Sequence, residues 1–274
     1  MARDSRQDAT GGGVVAIATP APALLIPPLL DAVREAGRAI MRHYRPDVAQ
    51  SEKADGSPVT AADHASERII LRALGAIDGA IPVVAEESFA AGHVPDVAGK
   101  RFWLVDPLDG TKEFLKANGE FSVNVGLVEN RRPILGVVYA PVTGEMFWCA
   151  GGKAFAQRGD GPTREIRART APADGLVVAI SRSHDKRTDV EAFLASIKVK
   201  VAEFRVTGSA IKLARVAAGE ADIYPRLGPT MEWDSCGGHA IVLAAGGTVT
   251  TMDGKPLLYE KPGFLNPSYV ARGR

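Results

Sequence analysis

The chain has only two cysteines in 274 residues, Cys149 and Cys236. That is too few for a disulfide framework and matches no zinc-binding spacing, so the expectation is a reducing compartment, with the cytoplasm as the location. An excess of either charge is also missing: 33 Lys and Arg stand against 32 Asp and Glu, a formal net charge of +1. No basic stripe with interleaved aromatics occurs. A general electrostatic grip on a nucleic acid polymer or an anionic membrane is therefore not indicated, peripheral association with the inner membrane stays open, and any anionic ligand has to be held by local chemistry. Nor is there an apolar run able to span a bilayer. Val14 to Leu30 comes nearest, but Pro20, Pro22, Pro27 and Pro28 break it, and only Arg3 and Arg6 precede it, which also disqualifies it as a secretory signal. Residues 1–22, with their Gly-Gly-Gly run, read as a flexible tail. His43, His64, His93 and His239 have no partners at metal-ligand spacing.

What remains is ordinary globular material, 46% hydrophobic and 24% charged, long enough for one large α/β domain or two lobes sharing a cleft. Apolar steps of three and four predict helices over Pro27–Tyr44 and Ala61–Ile77, separated by the turn-rich loop or short hairpin Ser51–Pro58. Short strands are expected at Ile81–Ala85, Phe102–Val105, Phe121–Val128, Ile134–Ala140 and Met146–Ala150, mostly pairing with sequential neighbours. From Gly175 the pattern alternates strand and helix: Leu176–Ile180, Asp189–Ile197, Ala202–Val206, Ser209–Ala218, Asp222–Pro225, Trp233–Ala245 and Thr248–Thr251. The polar stretch Gly159–Asp174 marks a lobe boundary, giving an N-terminal α+β lobe over 23–165 and a C-terminal α/β lobe over 166–274 with the site between them. Trp103, Phe147, Trp148 and both cysteines read as core.

The chemistry-bearing residues are acids at element ends. The apolar strand from Phe102 runs into Asp106 and Asp109, with Pro107 stiffening the turn between them and Gly110 and Thr111 opening a short helix. Two such carboxylates can face one point and hold a hard divalent cation, while free N–H groups at Gly110 and Thr111 suit a phosphate oxygen. Asp-Pro and Asp-Gly are equally common turn formers, and Asp109 fits a helix cap. Glu86 ends another strand, where α/β sheets open their clefts. Asp234 stands at a helix start, where capping is the plainer role, and Asp63 fits a capping box with Thr60. Acids so placed can serve two cations at the usual two-metal spacing of about 3.5–4 Å.

Asp106, Pro107, Leu108, Asp109, Gly110 and Thr111, with Trp233-Asp234 further on, resemble the two signatures of the inositol monophosphatase superfamily. Val59 to Asp63, Ala85 to Ser88 and Thr207 to Ala210 extend the resemblance in the family's order over roughly residues 28–252. Lys112, Glu113 and Phe114, where inositol monophosphatases usually carry Thr-Asn-Phe, resemble the 3′(2′),5′-bisphosphate nucleotidases, as does the segment Ile180 to His184.

The resemblance implies an αβαβα layered sandwich and a phosphomonoesterase, sensitive to lithium and dependent on two or three Mg²⁺, that acts on a phosphorylated nucleotide in sulfur metabolism. It implies that Glu86, Asp106 and the Leu108 carbonyl hold one Mg²⁺, that Asp106, Asp109 and Asp234 hold a second, and that a third sits near Asp63 and Glu86, where Lys53 would help hold its water. Thr111, oriented by Asp63, would align the attacking water. Gly110, Thr111, Gly208, Ser209, Arg182 and His184 would contact the substrate, and the enzyme would work as a monomer or homodimer. The rival expectations are an inositol-, histidinol- or sugar-phosphate phosphatase with the same metal core, and a non-catalytic Mg²⁺-binding regulatory protein.

Overall fold

The computed structural model describes residues 22–45, 49–53, 56, 58–182 and 186–274. The expected tail, apart from Pro22, and His184 lie outside the described residues. Helix α1 (Pro22–His43) begins ahead of the expected Pro27 and carries Pro27 and Pro28 inside it. These prolines lack the N–H groups that would bond the carbonyls of Ala23 and Leu24, but both of those residues are exposed, so water can take the bonds. Leu25, Ile26 and Leu29 are buried and hold this turn against the core, so packing outweighs propensity.

Strands β1 (Gln50–Glu52) and β2 (Pro58–Thr60) form an antiparallel hairpin. Helix α2 (Ala61–Asp78) follows, capped by Thr60, whose Oγ1 accepts from the Ala62 N–H at 3.1 Å. Next comes a sheet of seven strands in chain order: β3 (Val83–Ala85), β4 (Phe102–Asp109), β5 (Ser122–Glu129), β6 (Arg132–Ala140), β7 (Glu145–Ala150), β8 (Lys153–Arg158) and β9 (Arg164–Ile166). The pairing of β3 with β4 is parallel and the other ladders are antiparallel. Short helices α3 (Glu86–Ala90) and α4 (Thr111–Leu115) leave the ends of β3 and β4.

The second half alternates as expected: β10 (Leu176–Ser181), α5 (Arg187–Ser196), β11 (Val201–Thr207), α6 (Ile211–Ala217) and β12 (Ile223–Arg226). Then β13 (Thr230–Met231) leads into α7 (Glu232–Ala244), and β14 (Thr248–Thr251), β15 (Leu265–Asn266) and β16 (Tyr269–Arg272) close the chain. Five of these strands form a mixed sheet in the order β11-β10-β12-β16-β14, while β13 pairs with β15.

Alternation along β4 sorts its side chains between two cores. Trp103 and Val105 join α1 and α2 on one face; Phe102 and Leu104 meet Trp233 and Cys236 of α7 on the other. Helices α6 and α7 lie between the two sheets, and α5 covers the far face of the second through Val190 and Leu194. The layers are therefore helix, sheet, helix, sheet, helix, the αβαβα order that the resemblance implies.

The fit of α7 on the first sheet depends on backbone meeting backbone. A Cβ on Gly136 would overlap the Gly237 carbonyl, and one on Gly237 would overlap Asn124 Oδ1. Trp103, Phe147 and Trp148 are core, and both cysteines are buried and free. Burial pushes the Cys149 thiol up to about 12, so it is an unreactive packing group. No helix among the described residues is long and apolar enough to cross a membrane.

Candidate active site

Sequence reasoning places a turn at Pro107, but β4 runs through it as a strand to Asp109. Asp106 pairs with Asn124 and Asp109 with Ser122, so three steps on β4 match two on β5. Proline has no N–H for the ladder, and the extra residue forms a bulge. The consequence is geometric. Positions three apart on a regular strand face opposite sides, whereas the bulge lets Asp106 and Asp109 line one pocket.

That pocket has a volume of about 240 Å³ and also receives Glu86, the first residue of α3, and Asp234, in the first turn of α7. Carboxylate oxygens of Glu86, Asp106 and Asp234 lie within 4.8 Å of one another. Asp106 Oδ1 accepts from the Leu108 N–H at 3.0 Å and Asp234 Oδ2 from the Met231 N–H at 2.9 Å. Asp109 Oδ2 accepts from the Ala210 N–H, which ties β4 to the segment entering α6.

Asp63 does two things with its two oxygens. Oδ2 accepts from the Thr60 N–H at 2.8 Å and the Thr60 hydroxyl at 2.7 Å, completing the capping box. Oδ1 accepts from the Thr111 hydroxyl at 3.3 Å. The same hydroxyl lies 3.4 Å from the Leu108 carbonyl. Gly110, which opens α4, has φ +97°, in the left-handed region that a side chain disfavours.

Ser209 lines the pocket and bonds Ser122 through their hydroxyls at 3.0 Å. Gly208 sits beside it but outside the lining, packed so that a Cβ would overlap the Glu120 carbonyl. Arg182 is exposed and also outside the lining; its guanidinium forks onto Glu120 at 2.8 and 2.7 Å. Lys53, read from sequence as a loop lysine, is half-buried with its side chain 8% exposed, and its Nζ donates to Glu86 at 2.6 Å and Glu87 at 2.7 Å.

Sequence reasoning missed the pocket's buried cations. Lys212 of α6 and Arg226 at the end of β12 line the same pocket and are only 3% and 5% exposed. Lys212 Nζ donates to the Ser209 carbonyl at 2.6 Å and lies 5.4 Å from the centre of the Tyr224 ring. The available signal was a lysine flanked by Ile211 and Leu213 in a run, Ile211 to Ala217, whose other charge is Arg215. Arg226 gave none, since a strand-end arginine is usually solvated.

Burial and mutual repulsion dominate the electrostatics. Asp106 and Asp234 are pushed well above the usual carboxylate range, first by burial and then by the neighbouring acids. Asp109 is raised to about 6, mainly by burial, with Lys212 and the Ala210 N–H working against it. Burial likewise raises Asp63, against the Thr60 bonds, and lifts Glu87 to about 7 against Lys53. On Lys53 burial acts downward, but Glu86 and Glu87 outweigh it and raise the amine.

Hard oxygen donors crowded until they resist ionising are what a divalent cation relieves, so the donor set fits a metal ion. Protons and the cation then compete for the same oxygens. The metal-free carboxylates have raised values, so affinity should be full well above pH 6 and fall as pH drops through it, where Asp109 gains its proton. Calorimetric titration of the metal-free protein with Mg²⁺ between pH 5 and 8 measures this.

Comparisons with known proteins bear on this geometry. A family model described as the inositol monophosphatase family matches residues 24–273. The 3′(2′),5′-bisphosphate nucleotidase CysQ of Salmonella typhimurium is 46% identical over 241 residues, covering 86% of this chain and 94% of that protein. Its namesake from Escherichia coli K12 is 45% identical over 243 residues, covering 86% and 94%. The crystal structure of CysQ from Bacteroides thetaiotaomicron superposes with a TM-score of 0.75 at 36% identity, covering 90% of this chain and 96% of that one.

Proposed function

This chain belongs to the inositol monophosphatase family, and from that premise we propose that it is a Mg²⁺-dependent 3′(2′),5′-bisphosphate nucleotidase. Its reaction is removal of the 3′-phosphate of 3′-phosphoadenosine 5′-phosphate to give AMP, and of 3′-phosphoadenosine 5′-phosphosulfate to give adenosine 5′-phosphosulfate. The observation that carries this reading is the mixed charge of the pocket: Glu86, Asp106, Asp109 and Asp234 line it together with the buried cations Lys212 and Arg226. A substrate with two anionic ends suits such a lining: the scissile phosphate would sit at the acids once they hold a cation, and the 5′-phosphate at Lys212 and Arg226.

Glu86, Asp106, the Leu108 carbonyl, Asp109 and Asp234 would hold Mg²⁺, with Asp63 near a third position. When bound, Mg²⁺ neutralises the phosphoryl oxygens and acidifies a coordinated water. The chain's own residues do the rest. Thr111 Oγ1, oriented by Asp63 Oδ1 at 3.3 Å, aligns the attacking water, and a proton leaving that water passes through this hydroxyl toward Asp63. The N–H groups of Gly110 and Thr111 cradle the phosphate. Ser209, in the lining, contacts the ribose with Gly208 beside it, and the family resemblance adds Arg182 and His184 as contacts of the nucleotide. Water attacks phosphorus directly, so no phosphoenzyme forms.

The test is phosphate release, with Mg²⁺, from 3′-phosphoadenosine 5′-phosphate and inositol 1-phosphate in parallel. Strong preference for the nucleotide, abolished by EDTA, is expected; preference for the inositol ester sinks the assignment but spares the metal chemistry. Lys212→Met should raise KM for the bisphosphate by about 10–100-fold, the value of a charge-assisted hydrogen bond.

A further inference from the structure

One turn beyond Asp63, α2 carries a second buried carboxylate that takes no part in the steps above. Glu67 is 6% exposed. Its Oε2 accepts from the Glu87 N–H at 2.8 Å, and its Oε1 accepts from the Ser88 N–H at 3.0 Å and the Ser88 hydroxyl at 2.6 Å. Helix α3 has no cap of its own, because Ala85 precedes it and offers no acceptor. Glu67 supplies those acceptors from another helix, and the amides it holds belong to the two residues after Glu86.

Its neighbour Ser66 donates from Oγ to the Pro107 carbonyl at 2.7 Å, inside the bulge between Asp106 and Asp109. Between Asp63 and Glu67, then, α2 touches three separate pieces of the site: Thr111, Pro107 and the Glu87-Ser88 pair. Ala62, Ile70 and Leu74 anchor the helix in the core shared with α1 and the first sheet, so the three are held by one rigid element.

We infer that Glu67 and Ser66 are positioning residues for the divalent-cation site, setting the placement of Glu86 relative to Asp106 without touching cation or substrate. This rests on the metal-site reading above. A carboxylate is needed at position 67 because both oxygens receive N–H donors. A glutamine would turn an NH₂ group toward one of them.

The experiment titrates metal-free protein with Mn²⁺ and follows the free ion by electron paramagnetic resonance, well below the melting temperature. Glu67→Gln and Ser66→Ala are compared with wild type and with Asp222→Asn. The last removes the Arg169 pair on the second sheet and serves as a stability control outside the pocket. Glu67→Gln should bind Mn²⁺ about 10–100-fold more weakly, the usual effect of removing a group that orients metal ligands. Ser66→Ala should shift binding in the same direction, while Asp222→Asn binds as wild type despite a lower melting temperature. In turnover, saturating Mn²⁺ should restore kcat in Glu67→Gln with the nucleotide KM unchanged. Wild-type Mn²⁺ affinity in Glu67→Gln overturns the inference, as does a loss matched by Asp222→Asn. If Glu67→Gln does not fold, Ser88→Ala takes its place beside Ser66→Ala, and wild-type binding by both overturns it equally. Absence of Mn²⁺ binding by the wild type would instead overturn the metal-site reading.

Discussion

Replacing Asp106 with Asn should lower phosphate release from 3′-phosphoadenosine 5′-phosphate at least about a thousandfold, because several kcal/mol of transition-state charge stabilisation depend on the cations this site would hold. The same change should raise the melting temperature of the metal-free protein. Asp106 is 2% exposed and faces Glu86, Asp109 and Asp234, so its charge opposes folding when no cation is present. Asparagine keeps an acceptor for the Leu108 N–H and removes the charge. The sign follows from linkage. A carboxyl whose folded value lies above its unfolded value destabilises the fold increasingly as pH rises between the two, and not at all below the unfolded value of about 4. The gain in melting temperature should therefore be present at pH 7, disappear by about pH 4, and reverse in excess Mg²⁺, which stabilises only a protein that binds it. Calorimetry of both proteins with and without Mg²⁺ checks this, and retention of full turnover by the variant would refute the metal assignment.

The second large effect is expected far from any catalytic group. Gly136→Ala should destabilise the protein by about 3 kcal/mol or more, since the added Cβ would overlap the Gly237 carbonyl and neither backbone has slack to give. Gly136 lies in β6 and Gly237 in α7, three residues beyond Asp234. Separating helix from sheet there also withdraws Asp234 from Asp106, so affinity for Mg²⁺ should fall along with stability. Denaturant unfolding and Mg²⁺ titration of the folded variant measure both. Gly75→Ala is the control: that glycine has open space where its Cβ would stand, and its helical position makes alanine neutral or mildly stabilising.

Legibility in the sequence followed the reach of the interactions. Helices α2 and α7 came out within a residue or two because a cap and an apolar face are local features. The end of the chain did not. No strand was expected after Thr251, yet β16 enters the second sheet between β12 and β14. Four residues carry too little alternation to be recognised, and their pairing partners lie far away in the chain. Strand β9, at the edge of the first sheet, and β8 beside it were missed for a similar reason, both being short and of mixed polar character.

The acids show the same division. Sequence alone determined that the chain has a hydrophobic pattern for α/β layers, balanced charge, and carboxylates at strand and helix ends, because composition and short-range periodicity reside in the chain itself. It could not tell whether Asp63 caps a helix or serves a site; in the fold one oxygen completes the cap and the other accepts from the Thr111 hydroxyl. Nor could it show that Asp106 and Asp109 share a face, which the bulge at Pro107 brings about. Lys212 and Arg226 joined the pocket only when folding brought α6 and β12 beside the acids of β4, α3 and α7. Tertiary structure decided these things because a carboxylate's partners, its desolvation and its repulsion by other acids depend on distances between segments that lie 20 to 148 positions apart, and only folding sets those distances.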